Sequence, residues 1–133
     1  MTTARLSRRR YGPRVSHEER EQAVLAQYLD RLGVHWFHTP NETKATPQYL
    51  GKRARLGVKP GVPDVLITTP PPCGGYVGAA IELKSTLPSA RVSESQREWI
   101  AKLETDRWAA RVCRGAGEAI EFVRELGYER QPA

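Results

Sequence analysis

The chain has 133 residues, 39% of them apolar, with three Trp, five Tyr and two Phe, enough for one domain with a single core and no disulfide or metal staples. No apolar run reaches the length of a membrane span, and MTTARLSRRR at the start lacks the apolar middle of a secretory signal, so a cytoplasmic protein without a membrane partner is expected. Lys and Arg outnumber Asp and Glu by 21 to 15, a net charge of +6, and this arginine-rich balance favours an acidic partner such as nucleic acid.

Residues 1–15 hold Arg5, Arg8, Arg9, Arg10 and Arg14 with little to bury, and are read as a flexible basic arm, either a phosphate-binding tail or a solvated terminus. Ser16 caps a helix, HEEREQAVLAQYLDRL, that is acidic in its first turns and closed by Gly33. Leu25, Leu29 and Leu32 form its apolar stripe, and the same spacing carried backwards reaches Gln22 and Glu18. VHWFHT (34–39) alternates and reads as a strand, closed by Pro40 and Asn41. A polar, basic stretch follows, with a short helix expected near 47–56.

PDVLITT (63–69) reads as a strand entered from the Gly61-Val62-Pro63 turn, and PPPCGG (70–75) must be a loop. YVGAAIELKS (76–85) is apolar enough for a central strand. Ser93 caps a helix through Trp99, Ile100 and Leu103, ARVCR (110–114) is a last strand, and GEAIEFVRELG (117–127) is a final helix ended by Gly127. This order predicts one α/β domain over 16–127, a sandwich with a small mixed central sheet flanked by helices, and a tail at 128–133. Cys73 and Cys113 stand far apart with no CxxC pair and are expected to be free thiols. With no Walker loop and no GxGxxG, no nucleotide cofactor is expected.

Chemistry concentrates in the middle of the chain. Strand residues i and i+2 share a face, so Glu82 and Lys84 project together while Ile81 and Leu83 point to the packed side. Placing a Glu and a Lys on a central strand is costly unless they serve something. Asp64 opens the preceding strand and is expected beside them, at one sheet edge. Two converging carboxylates repel each other unless a cation lies between them, and Mg²⁺ or Mn²⁺ suits such oxygen ligands. An ordinary surface Glu–Lys pair with Asp64 as a turn residue is the alternative; the apolar strand and the Gly-x-Pro turn weigh against it.

The ordered elements GVPDVLI, IELK and VSESQREW resemble the virus-type replication-repair nuclease (VRR-NUC) domain of the PD-(D/E)xK superfamily, over roughly residues 16–125. In that family a G-x-P-D turn precedes an E-x-K strand and a helix opening with S-x-x-Q; here these are Gly61, Pro63 and Asp64, then Glu82 and Lys84, then Ser93 and Gln96. The FHTPNE segment and the Lys59-Pro60-Gly61 approach are similar to stand-alone, often phage-encoded members. The resemblance implies a restriction-endonuclease-like fold and metal-dependent hydrolysis of DNA. It implies Asp64 and Glu82 as metal ligands, with the Leu83 carbonyl a third, and Lys84 as catalytic lysine. A first-helix glutamate should complete the site: Glu18, Glu19 and Glu21 are available, with Glu18 preferred for its place on the buried stripe and Glu21 next. Gln96 either holds a phosphate or orients water, or is a capping residue. Stand-alone relatives act as homodimers on branched DNA, including four-way (Holliday) junctions.

An HNH-type pairing of His38 with Asn41 is disfavoured, since His35 and His38 face opposite sides and no metal-binding His pair follows. Trp36, Trp99 and Trp108 read as core or interface aromatics, with stacking on an unpaired base as an alternative. A nucleic-acid-binding module without turnover is the rival function, and the intact Asp64, Glu82 and Lys84 speak against it.

Overall fold

The computed structural model describes residues 16–40 and 47–129. The basic arm read at 1–15, the segment 41–46 that includes Asn41, and residues 130–133 lie outside these. The helices start where the sequence offers caps. Ser16 accepts from the Glu19 backbone N–H while the Glu19 side chain returns to the Ser16 N–H, a reciprocal box that opens α1 (His17–Leu32). Ser93 and Gln96 repeat the device at the start of α3 (Glu94–Thr105). Between them come β1 (Trp36–His38), α2 (Pro47–Arg55), β2 (Val65–Ile67) and β3 (Gly78–Lys84), and the chain continues into β4 (Trp108–Arg114) and α4 (Gly115–Glu125).

The four strands form one sheet in the order β1-β2-β3-β4. β1 and β2 pair antiparallel, as do β2 and β3, whereas β3 and β4 run parallel, which requires the crossover that α3 supplies. This is the predicted α/β fold with a small mixed sheet. β1 and β2 are three residues each, shorter than the stretches read from the sequence. Pro63 and Pro70 flank β2 and have no N–H to extend a ladder.

The core lies where α1 and α4 pack over the sheet. Leu25 and Leu29 of α1, Ile81 and Leu83 of β3, and Phe122 and Val123 of α4 are buried together. Cys113 is buried among them as a free thiol, pushed up to about 12 by desolvation, and Cys73 is free on the surface. The proline-rich loop closes the end of this core. Cys73 N–H donates to the Leu126 carbonyl, and Gly127 rests on Pro72 and Cys73. The chain stays packed beyond residue 127: Tyr128 is buried and donates to the Thr69 carbonyl, and Glu129 accepts from Tyr28 and Arg124. Among the described residues no helix is long and apolar enough to cross a membrane.

Candidate active site

Register brings the two carboxylates together. In the antiparallel ladder Val65 faces Ile81, so one further step places Asp64 opposite Glu82, and directly opposed residues share a face. Lys84 follows on that face by alternation. Ile81 and Leu83 belong to the core cluster on the other side, as the alternation predicts. Asp64 and Glu82 therefore meet at the end of two inner strands. The expectation of a sheet edge is corrected: the edges are β1 and β4, and the site opens where the β2–β3 ladder stops.

Glu82 is only 2% exposed, and its Oε1 is buried without a hydrogen-bond partner. Burial, then the hydrogen bond and charge of Asp64, push its carboxyl from an ordinary 4.5 up to about 9; Lys84 partly offsets this and Glu18 adds to it. Asp64 is half-buried, and its Oδ2 accepts from the Leu83 N–H at 2.8 Å. Its carbonyl accepts from Thr39 N–H at 2.7 Å and meets His38 Nδ1 at 2.8 Å. A carbonyl can only accept, so His38 carries its proton on Nδ1. His38 thus steadies the Asp64 backbone from the neighbouring strand.

The three first-helix glutamates have different surroundings. Glu19 belongs to the capping box of α1. Glu21 Oε2 accepts from the Ala116 N–H at 2.5 Å, at the start of α4. That helix needs an outside acceptor, because its N-cap, Arg114, has no side-chain capping bond, and an anion is favoured there. Glu18 is exposed at the start of α1, which corrects its expected place on the buried stripe, and it is the first-helix glutamate whose charge acts on Glu82.

Glycine joins the Asp64 turn to α3. Gly61 has φ +86°, and a Cβ there would lie 2.5 Å from the Ser95 backbone carbon and 2.8 Å from Gln96 N. The turn leading to Asp64 therefore rests directly on the first turn of α3, which only glycine permits. Gln96 uses its Oε1 on the Ser93 N–H, so capping is a role it does fill, and its side chain also lines a cavity of about 590 Å³ beside Lys84. Arg53, Lys59, Arg91 and Ser93 line the same cavity, a basic bay suited to phosphate oxygens.

The tryptophans sit elsewhere. Trp36 packs against the core and donates to Asp30, Trp108 stacks on Gly78, and Lys102 covers the Trp99 ring at 4.8 Å. Among the described residues no group of three or more His, Cys, Asp and Glu is placed to hold a metal ion; the donor set here is two carboxylates, with the Leu83 carbonyl on the same strand. Mg²⁺ sites commonly use one or two carboxylates and leave the rest to water and substrate phosphate. A buried carboxylate oxygen with no partner beside a second carboxylate fits such an ion.

Residues 16–117 match the VRR-NUC domain family, a span that includes each of these site residues. Among solved structures, a chain described as a VRR_NUC domain protein superposes with a TM-score of 0.71 at 24% identity, covering 86% of this chain and 91% of that one. At this identity the likeness speaks for the fold. No curated protein matches.

Proposed function

This chain belongs to the VRR-NUC family of nuclease domains, and on that footing we propose that it is a DNA endonuclease dependent on Mg²⁺ or Mn²⁺, hydrolysing phosphodiester bonds at Asp64, Glu82 and Lys84. The observation that carries this reading is Glu82: buried, facing Asp64, with one oxygen lacking any partner. A binding module without turnover gains nothing from a buried Glu82 and a half-buried Asp64 turned towards phosphates, which they would repel.

Asp64 and Glu82, with the Leu83 carbonyl, would hold the cation. When bound, such an ion lowers the pKa of water and neutralises charge on the phosphate. The chain's own groups do the rest. Lys84 offers a compact ammonium for the oxyanion charge that builds as the bond breaks. Glu18 completes the acidic rim, a role supported by its charge acting on Glu82 while Glu19 and Glu21 are engaged at helix starts. Gln96 caps α3 through Oε1 and lines the phosphate bay. Arg53, Lys59 and Arg91 grip the strand next to the reacting phosphate.

The substrate is branched DNA, four-way junctions among them, cut by a homodimer in which two-fold symmetry sets two sites at a fixed separation. The cytoplasm is its setting, consistent with two free cysteines. One gel tests the activity: duplex, flap, splayed-arm and four-way junction DNA, each with Mg²⁺, Mn²⁺ or EDTA. Cleavage that needs the cation and disappears in EDTA is expected. Cleavage surviving EDTA, or none on any substrate with either metal, would remove the reading.

A further inference from the structure

Next to the phosphate bay lies a second cavity of about 710 Å³, between β1 and α2, and the two share Arg53, Val58 and Lys59. One wall is aromatic and open: Phe37 on edge strand β1 is 49% exposed and Tyr49 on α2 is 48% exposed. Leu56 stands 73% exposed beside them. The Arg53 guanidinium lies over the Tyr49 ring, 5.7 Å from its centroid, and Lys52 and Lys59 line the same cavity. Among the described residues, neither cavity has an Asp or Glu in its lining. The groove thus runs from Lys84 past a line of cations to two ring faces.

We infer that this groove is a subsite for unpaired nucleotides, with phosphates on Arg53 and Lys59 and bases stacked on Phe37 and Tyr49. Aromatic rings alternating with cations are how proteins hold single strands without reading sequence. Charge decides the occupant. A second copy of the chain would bring two cationic rims together, and an apolar peptide would bring no anion to Lys52 and Lys59, whereas a nucleic-acid strand offers phosphates to the cations and bases to the rings. The inference rests on the nuclease reading and extends it: the strand leaving the scissile phosphate is gripped where it is not base-paired, which separates a branch point from plain duplex.

The test is binding alone, so it stands apart from cleavage. Full-length Asp64→Asn protein without metal is titrated, by fluorescence anisotropy, with labelled duplexes carrying a six-nucleotide overhang at the 5′ or 3′ end. A matched overhang has the same phosphates but abasic sugars. The base-bearing overhang should bind at least about tenfold tighter than the abasic one, given the value of stacking on two rings. Adding Phe37→Leu and Tyr49→Leu, which keep apolar bulk and remove the ring faces, should erase that ratio while the melting midpoint holds. Equal binding of base-bearing and abasic overhangs by the parent protein would overturn the subsite, as would a ratio that survives both substitutions. If the double substitution instead changes the oligomeric mass, the face is a subunit contact and the inference falls. Failure of the subsite leaves cation-dependent cleavage untouched, and failure of cleavage leaves this measurement readable.

Discussion

Asp64, Glu82 and Lys84 make separable contributions, and substitution distinguishes them. Asp64→Asn and Glu82→Gln keep size and remove the charge a cation needs, so both should abolish cleavage while DNA binding stays largely intact. Normal turnover by either at the same metal level would dismiss the site. Lys84→Ala should slow cleavage at least about a hundredfold, the scale for losing one preorganised donor, and Lys84→Arg should rescue it poorly because a wide planar fork does not replace an ammonium. Glu82 also ties stability to pH. Its carboxyl ionises near 4.5 ordinarily and near 9 in the fold, so the folded state holds a proton that the unfolded chain releases. This contribution to stability is complete below about 4.5 and declines as pH rises towards 9. A bound cation favours the ionised form, so stabilisation by Mn²⁺ should grow across the same window. Melting midpoints from about pH 5 to 9, with and without Mn²⁺, read both effects, and Glu82→Gln should flatten both. A Mn²⁺ shift that persists undiminished in Glu82→Gln would place the cation elsewhere.

At the scale of elements, the helix starts and the E-x-K strand were legible because their signals are local. Ser16 and Ser93 announce caps, and alternation alone sets Glu82 and Lys84 on one face. The position of Asp64 was not legible to the same degree, since it follows from the β2–β3 register across a ten-residue loop. The glutamates of α1 could not be separated either. Glu18 and Glu21 lie one turn apart on the same helix, and what distinguishes them is the Ala116 N–H, 95 residues away in sequence. The tryptophans read as core or interface aromatics, with stacking on a base as the alternative, and among the described residues the exposed Phe and Tyr rings are Phe37, Tyr49 and Tyr76. These contacts predict different losses. Glu21→Ala should lower stability by about 1 kcal/mol, the scale for a helix-start acceptor, and leave cleavage in place. Glu18→Gln should do the reverse, reducing cleavage without lowering the melting midpoint. Paired urea melts and rate measurements decide, and a Glu21→Ala protein that folds normally but cannot cut would exchange the two roles. Gly61→Ala combines a left-handed φ with a Cβ inside the Ser95 backbone. It should remove about 2 kcal/mol or more of stability, and cleavage should fall further than unfolding explains because Asp64 hangs from that turn.

For the whole molecule, size and charge set what can be gripped. The basic arm at 1–15 adds five arginines to one end of the chain, and each phosphate contact it makes should add roughly 0.9 to the logarithmic salt slope on duplex DNA. Deleting residues 1–14 should therefore weaken binding and flatten that slope while the melting midpoint holds; an unchanged slope would make the arm a solvated terminus. The proline-rich loop is engaged at the end of α4. α3, by contrast, has no fully buried residue, and Trp99, Ile100 and Leu103 leave part of its apolar side uncovered. One small domain offers a single set of site carboxylates and too little surface for several duplex arms. Pairing two copies about a two-fold axis doubles the basic face and sets two reaction centres at a fixed spacing, matching a substrate that is itself nearly two-fold. Homodimers that prefer a four-way junction to linear duplex are the expected result. Light scattering across micromolar concentrations reads the first half, and paired-nick analysis of an end-labelled junction reads the second. If two symmetric strands are cut by one dimer within a single encounter, mixing wild-type with Asp64→Asn chains should yield singly nicked junctions from the heterodimers. A monomer that nicks plain duplex as readily as junctions would rule out both assembly and preference, while Asp64, Glu82 and Lys84 would keep their roles.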